Sequence, residues 1–390
     1  MSATPDAVLA ELAAKLPPLA RAAEASLEGL DETSAARMAL SVLAQAGLCS
    51  WTVPQAFGGA DNAGLSVPED VSVRALCMLR RALAYHSGML DVMFVLQGLG
   101  SYAIARAGTP AQRTEWLPRV ARGESVAAFA LTEPEAGSDL GGIATRAERR
   151  GSSWVLAGGK TFISNCGVAD FYTLLARTAG ERGDGGKGSL TMFLVPGNAK
   201  GLTARRFEVT APHPIGDLAL EGVELDDAQR IGEVGAGLEL ALSVLGRFRT
   251  SVAAAATGFA RRALDESLAH LKSRQQFGRP LAAFQGLRFD VAEMDVRLRA
   301  AELLVSEAAA AVDRGERASA EVARAKLFAT EVASWLCDRA VQHLGGLGVK
   351  RGHPVERAWR EARALRIYEG TTEVQKLILA RELLEGPAED

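Results

Sequence analysis

Cysteine is scarce in this 390-residue chain. There are four, Cys49, Cys77, Cys166 and Cys337, and no two form a Cys-x-x-Cys pair. That excludes a zinc ribbon and a thioredoxin-type redox site, and it suits small core thiols in a reducing cytosol. Histidine is almost as thin: the five residues His86, His213, His270, His343 and His353 show no metal-ligand spacing, so no metal site is expected. Charge of one sign is also lacking. Forty-four basic residues face 47 acidic ones, a formal net charge of −3, which gives no basic field for nucleic acid or an anionic membrane. The opening Met-Ser-Ala-Thr-Pro-Asp carries no basic and apolar leader pattern, so a cytoplasmic location is expected. The longest apolar run, residues 88–107, is interrupted by Asp91, Gln97 and Arg106 and reads as a buried helix, not a membrane span.

What the chain does have is 48% hydrophobic and 23% charged residues, the balance of an ordinary globular protein. Its length predicts two or three domains. Texture changes twice. Residues 5–124 are rich in Ala, Leu and Arg at helical spacing, punctuated by Val53-Pro54, Phe57-Gly58-Gly59 and Gly108-Thr109-Pro110. From about Ser125 to Glu233 the runs are short and β-prone: Ser153 to Ala157, stopped by Gly158-Gly159, then Phe171 to Ala176 and Leu190 to Val195. Helical periodicity then returns over residues 237–272, 280–314 and 319–344, with a shorter stretch after Thr371. The expected domains are 1–124, 125–236 and 237–390, in the order helical, strand-rich, helical.

Several chemistries are missing. No His-Glu-x-x-His, Gly-x-Ser-x-Gly or Rossmann glycine fingerprint occurs, and the loop ending Gly186-Lys187-Gly188 fails as a P-loop. One string stands out: Ala130-Leu-Thr-Glu-Pro-Glu-Ala-Gly-Ser-Asp-Leu-Gly-Gly142. It offers a hydroxyl, a tight turn and exposed amides that can hold a heterocycle edge or an anion. By composition alone it is equally an acidic turn leading into a β-domain.

The whole string resembles the first signature of the acyl-CoA dehydrogenase family. Four further motifs follow that family's pattern: Ala46-Gly-Leu to Phe57-Gly-Gly; Arg274-Gln-Gln-Phe-Gly-Arg-Pro-Leu with Phe284-Gln285; Gln342-His-Leu-Gly-Gly-Leu-Gly-Val with Pro354-Val-Glu-Arg357; and Ile367-Tyr-Glu-Gly-Thr-Thr-Glu-Val-Gln375. The resemblance implies an all-α N-terminal domain, a β-barrel-like middle domain and a C-terminal four-helix bundle, holding FAD. Thr132 and the Leu131 amide would meet the pyrimidine edge of the isoalloxazine. Gly137 and Ser138 would lie near the phosphates, with Ser138 also near the thioester. Phe162 would stack on the ring and Ser164 would bond near N5, where the family commonly has Trp and Thr. Arg274, Phe277, Gln285, Gln342, Gly345 and Gly346 would reach the cofactor of a neighbouring subunit, and Thr371 and Glu373 would complete its contacts.

Glu369, in Tyr-Glu-Gly-Thr, matches the family's base for the thioester α-proton. The resemblance implies that Glu369 takes this proton while a hydride passes from the β-carbon to FAD N5, giving a trans-2-enoyl thioester. The ribityl hydroxyl and the Glu369 amide would polarise the carbonyl. Some relatives carry the base on the long helix that here contains Phe248, which cannot ionise. Arg249, Tyr368, Gly370 and Arg381 would serve the substrate, and Leu96, Leu99 and Gly100 either shape the acyl pocket or belong to the core. Three departures from the pattern are Gly246 for an aspartate, Ala211-Pro-His-Pro-Ile-Gly216 for Gly-x-Arg-x-Ser, and Gly352 for an acidic residue. The substrate is thus an acyl-CoA or an acyl-carrier-protein thioester, the electron acceptor an electron-transfer flavoprotein, and the assembly a homotetramer packed through small residues such as Ala253 to Ala256. A flavin oxidase or monooxygenase on the same fold, and a non-catalytic binding subunit, are the alternatives.

Overall fold

A computed structural model describes residues 4–386. Five helices come first: α1 (Pro5–Ser26), α2 (Glu32–Gln45), α3 (Val73–His86), α4 (Gly88–Ala107) and α5 (Pro110–Ala121). Eight strands follow: β1 (Ala127–Ala130), β2 (Arg146–Arg150), β3 (Ser153–Ser164), β4 (Phe171–Arg177), β5 (Leu190–Pro196), β6 (Leu202–Arg206), β7 (Ile215–Asp226) and β8 (Arg230–Ile231). Then come α6 (Gly237–Ser273), a small hairpin of β9 (Gln275–Gln276) and β10 (Arg279–Pro280), and α7 (Gln285–Asp313), α8 (Ser319–Leu344), α9 (Pro354–Leu365) and α10 (Thr372–Glu385). The helical, strand-rich, helical order read from sequence is the order observed.

Local chemistry sets the helix ends. Asp31 caps α2 by accepting from the Thr33 and Ser34 amides. Thr109 and Gln112 form a reciprocal capping box ahead of α5, with Pro110 in the first helical position. The second long C-terminal helix, α7, begins at Gln285, not at Pro280: Arg279 and Pro280 pair with Gln276 and Gln275, and a short 3-10 turn intervenes. Helix α9 was not expected from periodicity. Its His353 cap and Pro354 start fix it locally.

By their internal contacts the residues form two units. One comprises mainly Ala25–Ser72 and Val92–Phe248. It holds an eight-stranded mixed sheet in the order β6-β7-β3-β2-β4-β5-β8, with β1 parallel to β4. Alternate side chains such as Trp154, Leu156, Tyr172, Leu174, Phe193 and Leu220 make its core. Strand β3 runs straight through Gly158-Gly159, which were expected to end it. Its ladder with β7 shifts register at Leu156/Ala157 and again at Lys160/Ile163. Gly158, at φ +144°, tolerates the first irregularity: a Cβ there would lie 2.7 Å from Thr145 Cα.

The other unit comprises Asp6–Glu24, Val73–Asp91 and Arg249 onward. Its core is made largely of alanine, with Ala253 to Ala256 on α6 and Ala325, Ala329 and Ala333 on α8 in one cluster. Small side chains bring backbones close. A Cβ on Gly258 of α6 would sit 2.3 Å from the Arg81 carbonyl of α3. Ala253 to Ala256 are at most 1% exposed, so they are spent inside the chain and leave nothing for an assembly contact. Helix α4 is the one described helix long and apolar enough to cross a membrane, and 89% of that window is buried in the protein. All four cysteines are buried and free; burial pushes the Cys49 thiol up to about 12 and Cys166 up to about 11, which makes them inert.

Candidate active site

In the helical unit, Glu369 lies in the turn between α9 and α10. Glu369 and Gly370 both have left-handed backbone, at φ +53° and +94°. For glutamate this costs about 1–3 kcal/mol, and the surroundings hold it there. Arg249 Nε of α6 donates to the Glu369 carbonyl at 2.9 Å. Lys326 Nζ of α8 and Gln375 Nε2 of α10 both donate to the Gly370 carbonyl, at 2.6 and 3.1 Å. Gly370 is needed as glycine, since a Cβ would lie 2.6 Å from Gln375 Nε2. Thr371 accepts from the Val374 amide and so caps α10.

All these grips fall on backbone carbonyls, and the carboxylate itself is left open. Glu369 Oε2 is shut from solvent and has no hydrogen-bond partner among the described residues. Burial pushes its carboxyl above the ordinary range, against the pull of Arg80, Arg249 and Lys326, while Asp91 pushes the same way as burial. Arg80 and Asp91 form a two-pronged pair at 2.8 and 2.7 Å, both nearly inaccessible, with Arg80 also donating to Ser251 at 3.0 Å. Glu361 of α9 adds a further carboxyl, which burial and the neighbouring Asp91 push up to about 8. It packs so tightly on α4 that a Cβ on Gly88 would meet its Oε1 at 2.2 Å.

Sequence reasoning did not pick out Arg80, Lys326 or Glu361. The first two had a legible signal. Lys326 sits on the apolar stripe Val322, Lys326, Ala329, Ala333, Leu336, and Arg80 on the stripe Val73, Leu76, Arg80, Leu83. A charge on such a stripe is either an error of reading or a buried group with work to do.

In the sheet unit, Leu131 and Thr132 leave the end of β1 beside β3, with the Thr132 carbonyl accepting from the Thr161 amide at 2.9 Å. Beneath them, Lys160 Nζ donates to the Leu131 carbonyl at 2.9 Å and to Glu133 at 2.8 Å. Glu133 also accepts from the Ala144 and Thr145 amides. The Glu of the motif is therefore an anchor for the whole loop, a role that composition gave no way to see. Glu133 and Ala136 close the tight turn, and Gly137 and Ser138 stand exposed beyond it. Phe162 is 60% exposed on a strand whose neighbours Thr161 and Ile163 are buried, and it holds φ +54°. Ser164 hydrogen-bonds His213 at 3.1 Å. Phe162 meets Phe207 edge-on at 5.2 Å and is otherwise open, and an exposed aromatic face near the Thr132 and Ser164 positions fits a planar heterocycle such as an isoalloxazine.

Arg274 to Pro280 are all exposed; Phe277 is 92% so, at φ +52°, with Phe284 behind it and Arg279 over the Phe284 ring at 4.1 Å. Gln285, Gln342, Gly345, Gly346 and Glu373 are exposed too. Arg381 pairs with Glu385 one turn on, at 3.4 Å and in solvent. Tyr368, next to Glu369, is exposed at 37%. Phe248 is fully buried, and its ring fills the space where Gly98 lacks a Cβ. Gly100 is spent on packing, since a Cβ there would meet the Ala128 amide at 2.5 Å. Gly246, by contrast, opens onto free space, so the departure from aspartate removes a side chain without filling its place.

The chain is a helical protein interrupted by a mixed sheet, with a buried carboxyl in one unit and an open aromatic face in the other. The N-terminal, middle and C-terminal domain models of acyl-CoA dehydrogenases match residues 3–124, 128–227 and 235–384. The chain is 37% identical to 3-(aryl)acrylate reductase of Clostridium sporogenes over 349 residues, 88% of this chain and 89% of that one. It is 33% identical to cyclohexane-1-carbonyl-CoA dehydrogenase of Geobacter metallireducens over 352 residues, 90% of each. Butyryl-CoA dehydrogenase of Megasphaera elsdenii shares its fold with a TM-score of 0.86 at 29% identity, covering 96% and 98% of the two chains. The chain belongs to the acyl-CoA dehydrogenase family, whose members are oxidoreductases that bind FAD.

Proposed function

We propose that this protein oxidises the α,β-bond of an acyl-CoA thioester, with Glu369 as the base for the α-proton. The observation that carries this is the Glu369 carboxylate: strained backbone, three side chains gripping the carbonyls around it, and an oxygen left without a partner. A structural glutamate in such a place would be paired. Bound FAD supplies the acceptor for the hydride that leaves the β-carbon. Leu131, Thr132, Phe162 and Ser164 would hold its ring system, with Gly137 and Ser138 towards its phosphates.

Glu369 takes the α-proton onto a carboxylate whose pKa burial raises, which makes it a stronger base than an exposed glutamate. Arg80, Arg249 and Lys326 keep enough positive charge nearby for it to ionise despite burial. Arg249, Lys326 and Gln375 fix the turn, so the carboxylate and the Glu369 amide face one substrate pose. Tyr368 and Gly370 would border that substrate. The exposed Arg274, Phe277 and Gln285, with Gln342, Gly345 and Gly346, suit cofactor contacts supplied to a second copy in a homotetramer. Electron-transfer flavoprotein is the proposed acceptor. Relatives named for aryl, cyclohexane and butyryl groups support a compact acyl group over a long chain. One relative is named a reductase and another a dehydrogenase, and by microscopic reversibility the residues proposed here would serve either direction of the bond change.

The test is anaerobic bleaching of the bound flavin by short, branched, cyclic and aryl acyl-CoAs. Bleaching by one class, lost in Glu369→Gln with FAD content intact, is the expected result. Undiminished bleaching in that variant refutes the assignment of the base.

A further inference from the structure

We propose that His213 is a positioning residue: it holds the Ser164 hydroxyl proton, so that Ser164 meets the flavin as a hydrogen-bond acceptor and favours its reduced form. This rests on the reading above that Ser164 faces the isoalloxazine N5. His213 stands in the Ala211-Pro-His-Pro-Ile-Gly216 segment, where the family resemblance led one to expect Gly-x-Arg-x-Ser. The arrangement departs from that pattern.

The segment is rigid. Pro212 and Pro214 fix the backbone on either side of His213. Ile215 and Gly216 pair with Ser164 and Ile163 across the β3–β7 ladder, and the Asn165 amide donates to the Pro214 carbonyl at 2.6 Å. His213 Nδ1 lies 2.9 Å from the Ala211 carbonyl, which can only accept, so Nδ1 carries a proton. Burial holds the imidazole pKa below its ordinary value and keeps the ring neutral. Nε2 is then a lone pair, 3.1 Å from Ser164 Oγ, and the serine must donate to it. A hydroxyl has one proton and two lone pairs, so what Ser164 has left to offer is an acceptor. The oxidised ring presents a lone pair at N5 and the two-electron-reduced ring an N–H, and an acceptor matches only the second.

The experiment is the midpoint potential of FAD bound to the purified enzyme, measured in wild type, Ser164→Ala, His213→Leu and His213→Gln. In Ser164→Ala and His213→Leu the ratio of reduced- to oxidised-FAD affinity should fall about tenfold, which is about 30 mV for a two-electron couple. His213→Gln keeps an oxygen that can accept from Ser164 and should stay nearer wild type; if the leucine variant fails to fold, His213→Ala takes its place and should shift as Ser164→Ala does. A shift in Ser164→Ala with none in either His213 variant overturns the role of His213 and leaves Ser164 beside the flavin. No shift in Ser164→Ala removes Ser164 from the flavin and the proposal with it. Neither outcome touches Glu369, whose assignment stands or falls on bleaching.

Discussion

Two lysines in this protein are fully buried, and burial pushes both ammonium groups down to about 8. Their surroundings differ. Lys160, in the sheet unit, has Glu133 at 2.8 Å and the Leu131 carbonyl at 2.9 Å, and Glu133 has its own amide donors. Every charge there is answered. Lys326, in the helical unit, donates to one carbonyl and has no carboxylate within ion-pair distance among the described residues. The charge it balances is that of Glu369, which itself keeps an unpartnered oxygen. A closed polar cluster fixes a loop. An open one keeps capacity for a proton or a ligand, at a cost in stability that packing elsewhere must offset.

The largest effect should come from the open cluster's centre. Glu369→Gln should slow flavin bleaching by about 10²–10⁴-fold while the protein stays folded and yellow. A parallel loss of FAD would mean that the carboxylate is structural, and the contrast would collapse. Next, Lys160→Met leaves Glu133 buried and unpaired, which should cost about 3–5 kcal/mol in urea unfolding. The folded fraction should bleach at close to the wild-type rate if the pair serves only the loop.

Lys326→Met should invert that pattern. It removes a grip on the Gly370 carbonyl and a charge near Glu369, so bleaching should slow by about 10–100-fold, with less stability lost than in Lys160→Met. The pH profile sharpens the point. With Glu369, Arg249, Glu331 and Glu373 around it, the Lys326 ammonium titrates near 8. Wild-type rates should rise as Glu369 ionises and fall again above about 8, and the upper limb should vanish in Lys326→Met. A profile unchanged by the substitution would show that the lysine acts by packing alone.

The smallest effect concerns Glu361. Its folded-state pKa is raised to about 8, so the native protein holds a proton that the unfolded chain releases. Native stability contributed by this group is therefore lost as pH climbs from the ordinary carboxylate range to 8. Glu361→Gln should match wild type at about pH 5 and melt a few degrees higher at about pH 8, by scanning fluorimetry. An equal or lower melting temperature at pH 8 would assign Glu361 a charged role in the cluster.

Much of this was legible in the chain. Texture alone gave the order of helices and strands, because periodicity is written into each segment. The motif string led to Thr132, the family resemblance of Lys160-Thr-Phe-Ile-Ser-Asn165 to Ser164, and Tyr-Glu-Gly-Thr to Glu369. Element ends were less legible. Gly158-Gly159 reads as a strand stop, yet the β7 ladder carries β3 through it, since a partner strand supplies hydrogen bonds that local propensity does not count. Glu133 reads as one acid among several in a turn, and only folding brings Lys160 beneath it.

The sequence by itself determined the family, the residue types available for chemistry and the places where the backbone must turn. These depend on near neighbours and short motifs, which a linear reading contains. Tertiary structure alone decided which charges meet. Arg80, Asp91, Lys326, Glu361 and Glu369 come from separate helices and turns, and a carboxylate's pKa depends on what lies within a few ångströms, not on what lies within a few residues. The same holds for His213 and Ser164, nearly fifty positions apart, whose shared proton follows from one strand pairing and one carbonyl.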